Sequence, residues 1–152
     1  MKRILAVLLT AVLLTLTGCS SELTAEEYRA SLSECVQAYS RQQILIAAEM
    51  AKGEETDWDS LKTYVSDGRA ALDETSQLNP PVEYSGQHKA ICEAMSPEKL
   101  WLDAIEKVAD NGGFTDELVQ EVLLHVSDSE YYDYVIATLK RMRDDGVSST
   151  LF

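Results

Sequence analysis

The chain has 152 residues, with 13 Lys and Arg against 26 Asp and Glu and a formal net charge of −13. So acidic a balance disfavours nucleic acid and anionic lipid surfaces as direct partners, because both repel a polyanion, and no nucleic acid partner is expected. The length suits one domain with a real core.

Lys2 and Arg3 form a positive start, and Ile4 to Leu16 form an apolar run interrupted only by Thr10 and Thr15, which reads as a secretory signal. The run stops short of the ~20 apolar residues a spanning helix needs. It ends in Leu16-Thr17-Gly18-Cys19, which resembles the lipobox of bacterial lipoproteins. That resemblance implies lipid on Cys19, cleavage before it, and a home on the extracytoplasmic face of the cell membrane. The chain then divides into a signal peptide (1–18), a lipidated tether (19–23), a helical domain (24–146) and a tail (147–152), where Phe152 either docks or frays. With Cys19 taken by lipid, Cys35 and Cys92 remain, and an even pair outside the cytoplasm reads as one disulfide. The absence of a Cys-x-x-Cys pair leaves thioredoxin-like chemistry without support.

Thr24 and Glu27 form a capping box for a first helix over about 25–52, with Tyr28, Leu32, Cys35, Tyr39, Ile46 and Met50 on one face. Lys52-Gly53 closes it. Thr56 is positioned to cap a second helix with an acidic first turn, in which Trp58, Leu61, Val65, Gly68 and Leu72 recur three and four apart. Asn79-Pro80-Pro81 stops it, since proline restricts the residue before it and lacks a donor. A third segment starts from Pro81 or Val82 and carries Tyr84, His88, Ile91, Met95, Leu102, Ile105 and Ala109 in one heptad-like phase that only Glu98 breaks. Ser96-Pro97 inside it predicts a kink or short break. Asn111-Gly112-Gly113 is the stop. The last segment, from Thr115, turns Leu118, Val122, Val126, Ile136, Leu139 and Met142 inward, and Ser127 to Glu130 repeats a capping box that predicts a second break.

No strand-like alternation occurs, so the fold class is all-α, an up-down antiparallel bundle of about four helices. In such a bundle helices 1 and 3 run the same way and set Cys35 and Cys92 at matching height. A disulfide requires Cα atoms within about 7 Å, so the pairing predicts a flattened bundle in which helices 1 and 3 pack directly.

The corner Pro80-Pro81-Val82-Glu83-Tyr84, followed by His88, resembles small, mostly uncharacterised helical-bundle lipoproteins of Gram-positive envelopes, with Trp101-Leu102 and Gly112-Gly113 in the same layout and Pro97 as a departure. The resemblance implies a fold and an address, and transfers no catalytic residue. Physically, Tyr84 and His88 stack one turn apart; the functional version makes His88 a ligand or base with Glu83. His125 is the only other histidine, so a multi-histidine metal site lacks ligands, and no metal or cofactor is assigned. The acidic clusters at Glu54, Glu55, Asp57 and Asp59 and at Asp128, Glu130 and Asp133 lack the spacing of a calcium loop and read as solvated helix starts.

Tyr131, Tyr132 and Tyr134 cannot all face inward on one helix, so at least one points out, either toward a protein or glycan or wedged on a neighbouring helix. Nucleophile-elbow, P-loop, zinc-protease and dinucleotide motifs are absent. The expectation is a non-catalytic binding module of the envelope, held to the membrane by lipid on Cys19, with an envelope protein or glycan as partner. The alternative is a small-ligand or cation-binding protein that uses the bundle interior near His88.

Overall fold

A computed structural model describes residues 22–127 and 129–148, so the leader, Cys19 and the end of the tail lie outside the described residues. Five helices follow one another: α1 (Ala25–Met50), α2 (Trp58–Gln77), α3 (Ser85–Asn111), α4 (Asp116–Ser127) and α5 (Tyr131–Asp144), with no strand among the described residues.

The start of α1 is the predicted capping box: Thr24 Oγ1 accepts from the Glu27 amide at 3.2 Å and Glu27 returns a carboxylate oxygen to the Thr24 amide at 2.9 Å. Its inner face is Tyr28, Leu32, Cys35, Tyr39 and Ile46, as the spacing predicts, but Glu49 is buried beside a half-buried Met50. Glu49 is held by Lys52 and by the Asp57 amide at 2.8 Å, which tie the end of α1 to the start of α2. Asp57, not Thr56, caps α2: its Oδ1 accepts from the Asp59 and Ser60 amides, both at 3.2 Å. Thr56 is turned back into the preceding turn, where its hydroxyl lies 2.7 Å from the Gly53 carbonyl. Gly53 has φ +62°, a conformation that favours glycine.

Ahead of the two prolines α2 ends with Leu78 in extended backbone, and the Asn79 carbonyl accepts from the Leu23 amide at 2.9 Å. A short 3-10 turn at Val82–Tyr84 precedes α3, which begins later than Pro81 or Val82. Helix α3 runs unbroken through Pro97, contrary to the predicted break. Proline removes one helical donor, but Met95, Glu98 and Leu102 are buried on either side of it, and their packing holds the helix together. Gly112, at φ +67°, ends α3, with the Gly113 amide donating back to the Val108 carbonyl at 3.1 Å. The second predicted break is present, between α4 and α5. Because α5 starts afresh at Tyr131, its buried positions are Tyr131, Val135, Thr138 and Met142, and Ile136, expected inside, is exposed.

Cross-links show the direction of each pass. Leu23 meets Asn79, Arg69 meets Asp103 and Glu106, Tyr84 meets Asp145, and Tyr132 meets Gln43, so α1, α2, α3 and α5 alternate up and down. The close helix pairs are α1–α2, α2–α3, α3–α5 and α5–α1, with α4 lying on α3. The fourth pass of the bundle is therefore α4 followed by α5. The expected close backbone packing of α1 on α3 is not seen: the two are not among the helix pairs in sustained backbone contact. Only long side chains bridge them. Cys35 and Cys92 are both free thiols in this structure, without the expected bond between them. Cys35 is buried and interacts with Thr75 of α2, whereas Cys92 is half-buried and lies 3.5 Å from His88 on its own helix.

Candidate functional site

Three groupings of side chains hold the residues that the sequence singles out. At the end of the bundle where α3 begins, Tyr28, Tyr84, His88 and Cys92 form one cluster. Tyr28 Oη lies 3.1 Å from His88 Nδ1, the two rings meet edge to face at 5.7 Å between centroids, and Tyr28 stacks on Tyr84 at 6.4 Å. Tyr84 donates to Asp145 of α5 at 3.1 Å, and the Arg141 guanidinium lies over its ring at 5.6 Å. Glu83 is exposed, and Tyr28 and Cys92 take the place beside His88 that the functional reading gives it. The 3-10 turn, rather than a regular first helical turn, separates Glu83 from His88. Burial pushes the His88 pKa below its ordinary value, with the Ser76 backbone acting the other way, and burial pushes the Cys92 thiol up. Both directions disfavour the thiolate–imidazolium pair that a cysteine nucleophile requires. The cluster joins α1 to α3 through His88 and reaches α5 through Tyr84.

The second grouping lies mid-bundle around Glu98, the residue that interrupts the heptad-like phase of α3. Glu98 is 5 % exposed. Its carboxylate accepts from the Tyr39 hydroxyl, from Gln43 Nε2 at 3.1 Å and from the Ser129 hydroxyl. Tyr132 donates to the Gln43 carbonyl oxygen, and Tyr39, Tyr131 and Tyr132 pack ring on ring with centroids 5.2–6.4 Å apart. Burial raises the Tyr39 pKa far above its ordinary value, reinforced by the Glu98 charge, so Tyr39 stays a donor. Buried carboxylates persist where donors surround them. The signal for this network is present in the sequence as a charged residue at a core position of α3; its partners, 31 to 59 residues away along the chain, are not.

The third grouping is on the surface. Tyr131 is fully buried and Tyr132 half-buried, which leaves Tyr134 as the outward-facing tyrosine of the three, 40 % exposed. Tyr134 stands in the seam between α3 and α5, where two shallow cavities of about 270 and 340 Å³ share Tyr134 and Ala90. The α3 wall of the seam is small, with Gly86, Ala90 and Ala94, and α5 contributes Ala137 beside Tyr134. None of these cavities is lined by His88.

Among the described residues no group of three or more His, Cys, Asp or Glu side chains is placed to hold a metal ion, and no helix is long and apolar enough to cross a membrane. Comparison of the chain with protein-family models, with curated proteins and with solved structures finds no match.

Proposed function

We propose that the protein is a non-catalytic binding module of the bacterial cell envelope, tethered through lipid on Cys19 and presenting the α3–α5 seam to an envelope protein or glycan. The lipobox-like Leu16-Thr17-Gly18-Cys19 and the resemblance to Gram-positive envelope lipoproteins support the address. Tyr134 carries the contact reading. It is a large amphipathic ring held half out of a groove whose α3 wall pairs the small Gly86, Ala90 and Ala94 with the polar Gln87 and Glu93, so an incoming chain or sugar can lie close to α3 with its edge on the ring and its polar groups toward Gln87 and Glu93. The region around His88 favours the alternative less, since Tyr28, Tyr84, Ile91 and His88 itself fill it.

The test is crosslinking in the cells that make the protein. A photoreactive residue at position 134 should give a discrete adduct, and one at Ile44, exposed on α1, should not. Tyr134→Ala should abolish the adduct formed from a probe at Ala137 while leaving the thermal midpoint within a few degrees. Equal, diffuse labelling from positions 134 and 44 would remove the seam from consideration. Cys19→Ser should stop incorporation of labelled fatty acid and release the domain from membranes; continued labelling would refute the anchor.

A further inference from the structure

At the end of the bundle opposite Thr24, about 39 Å along α1, the turn between α1 and α2 faces the turn between α3 and α4 across a crevice of about 490 Å³. Its apolar walls are Met50, Trp58 and Phe114, and its remaining lining includes Glu54 and the backbone of Gly53, Gly112 and Gly113. All three glycines have positive φ, so the tight turns that shape the crevice bring main chain, not side chain, to its surface. Phe114 lines the crevice and is 44 % exposed, which leaves an aromatic face open to it.

Four helix ends meet at this end of the bundle, two negative and two positive. Helices α1 and α3 end here with no basic residue in the last turn, so the negative ends of both helix dipoles are uncompensated. The positive ends of α2 and α4, which begin here, are offset by the Asp57 cap and Asp59 and by Asp116 and Glu117, so the balance is negative. The lysines near this end are already engaged, Lys52 with Glu49 and Lys62 with Asp110, each at 2.7 Å, and Lys107 with Glu121 at 2.5 Å. Glu54 stands on the lining with both Gly53 and Thr56 beside it. An aromatic face is itself negative, and an ammonium group against Trp or Phe gains most where water is excluded.

We propose that this crevice binds a small organic cation, an alkylated ammonium whose apolar substituents lie on Trp58, Phe114 and Met50 while its charge faces Glu54 and the ends of α1 and α3. The volume falls within the range of small-molecule sites, and the pairing of apolar walls with negative potential selects against anions and against neutral ligands of the same shape. This site shares no residue with the α3–α5 seam, so the two proposals stand or fall separately.

The test uses the full-length protein in dodecyl maltoside, titrated with choline and, in parallel, with its uncharged isostere 3,3-dimethylbutan-1-ol, with amide and indole proton resonances as the readout. Choline should move the Trp58 indole signal and the Gly112 and Gly113 amides saturably. The isostere should bind at least about tenfold more weakly, the loss expected when a cation–aromatic contact is removed. Trp58 packs against the core, so the aromatic contribution is tested at Phe114. Phe114→Leu keeps the apolar volume and should weaken choline about fivefold without changing the isostere, and Glu54→Gln should weaken choline about threefold. Equal affinity for the two probes, an unaffected Phe114→Leu variant, or choline shifts centred elsewhere on the protein would each overturn the proposal.

Discussion

Replacing Tyr39 with Phe removes one hydroxyl from the middle of the bundle and leaves the ring. Tyr39 has no exposed surface and Glu98 is 5 % exposed, so water cannot substitute for the lost donor. A hydrogen bond to a charged group contributes ~1.5–3 kcal/mol, and Gln43 and Ser129 remain on the carboxylate. We therefore expect Tyr39→Phe to cost about 2 kcal/mol. Glu98→Leu should cost more, about 2–4 kcal/mol, because it strands the Tyr39 and Ser129 hydroxyls together. The double variant should be less destabilised than the sum by ~1–3 kcal/mol, since each change removes the partner the other would orphan. Urea unfolding followed by tryptophan fluorescence measures all four species. With a slope of ~2 kcal/mol per molar urea, the Tyr39→Phe midpoint should fall by about 1 M at unchanged slope. A midpoint within ~0.2 M of the parent, together with strict additivity in the double variant, would show that Glu98 is hydrated and that the network reading is wrong.

Three further outcomes follow from burial. Tyr28, Tyr39 and Tyr131 are fully buried with pKa values well above the ordinary 10.0, so tyrosinate absorbance should omit them until the helical circular dichroism collapses in alkali. Their ionisation in the unfolded chain above about pH 10 makes stability fall there as pH rises. His88 has its pKa pushed below the ordinary 6.5, so the unfolded chain takes up its proton first; stability should be full above pH 6.5 and decline as pH falls through the native value. His88→Gln, compared by urea midpoints across that window, should flatten the decline. At Gly68 an added methyl would lie 3.3 Å from Leu102, which is fully buried. Gly68→Ala should thus forfeit the ~1 kcal/mol that helix propensity offers, and Gly68→Val should lower the thermal midpoint, by an amount set by ~1–3 kcal/mol of overpacking.

Most of the architecture is legible in the chain because it rests on local chemistry. The capping box at Thr24, the stop at Gly112 and the three-and-four spacing of Leu61, Val65, Gly68 and Leu72 each need only neighbours within a few residues. What fails depends on distant geometry. The expected close packing of α1 on α3 follows from counting cysteines, whereas in this bundle the two helices meet through side chains such as Tyr28 with His88 and Tyr39 with Glu98. Ile136 is misplaced because the helical phase restarts at Tyr131, and Thr56 because Asp57 offers a carboxylate one residue later. The site is partly legible. One outward tyrosine among Tyr131, Tyr132 and Tyr134 is a geometric necessity of a helix, and Tyr134 fills that role. Glu98 is visible as an interruption, while Tyr39, Gln43 and Ser129 are gathered to it by tertiary packing alone.

The ion pairs between α2 and α3 bear on how the chain finds one alignment. Lys62–Asp110, Arg69–Asp103 and Asp73–Lys99 are spaced so that the residue numbers in each pair add to the same total, the signature of two antiparallel helices in a single register. Being largely exposed, each pair contributes little to stability. Sliding α3 by four residues in either direction, however, would set Arg69 opposite Lys99 or opposite Lys107, like charge against like, and would part Asp73 from Lys99. The slip that sets Lys107 opposite Arg69 would also bring Lys99 and Glu106 to the places of the buried Met95 and Leu102, so the weak ladder on the outside of the bundle and the apolar face inside it select the same alignment.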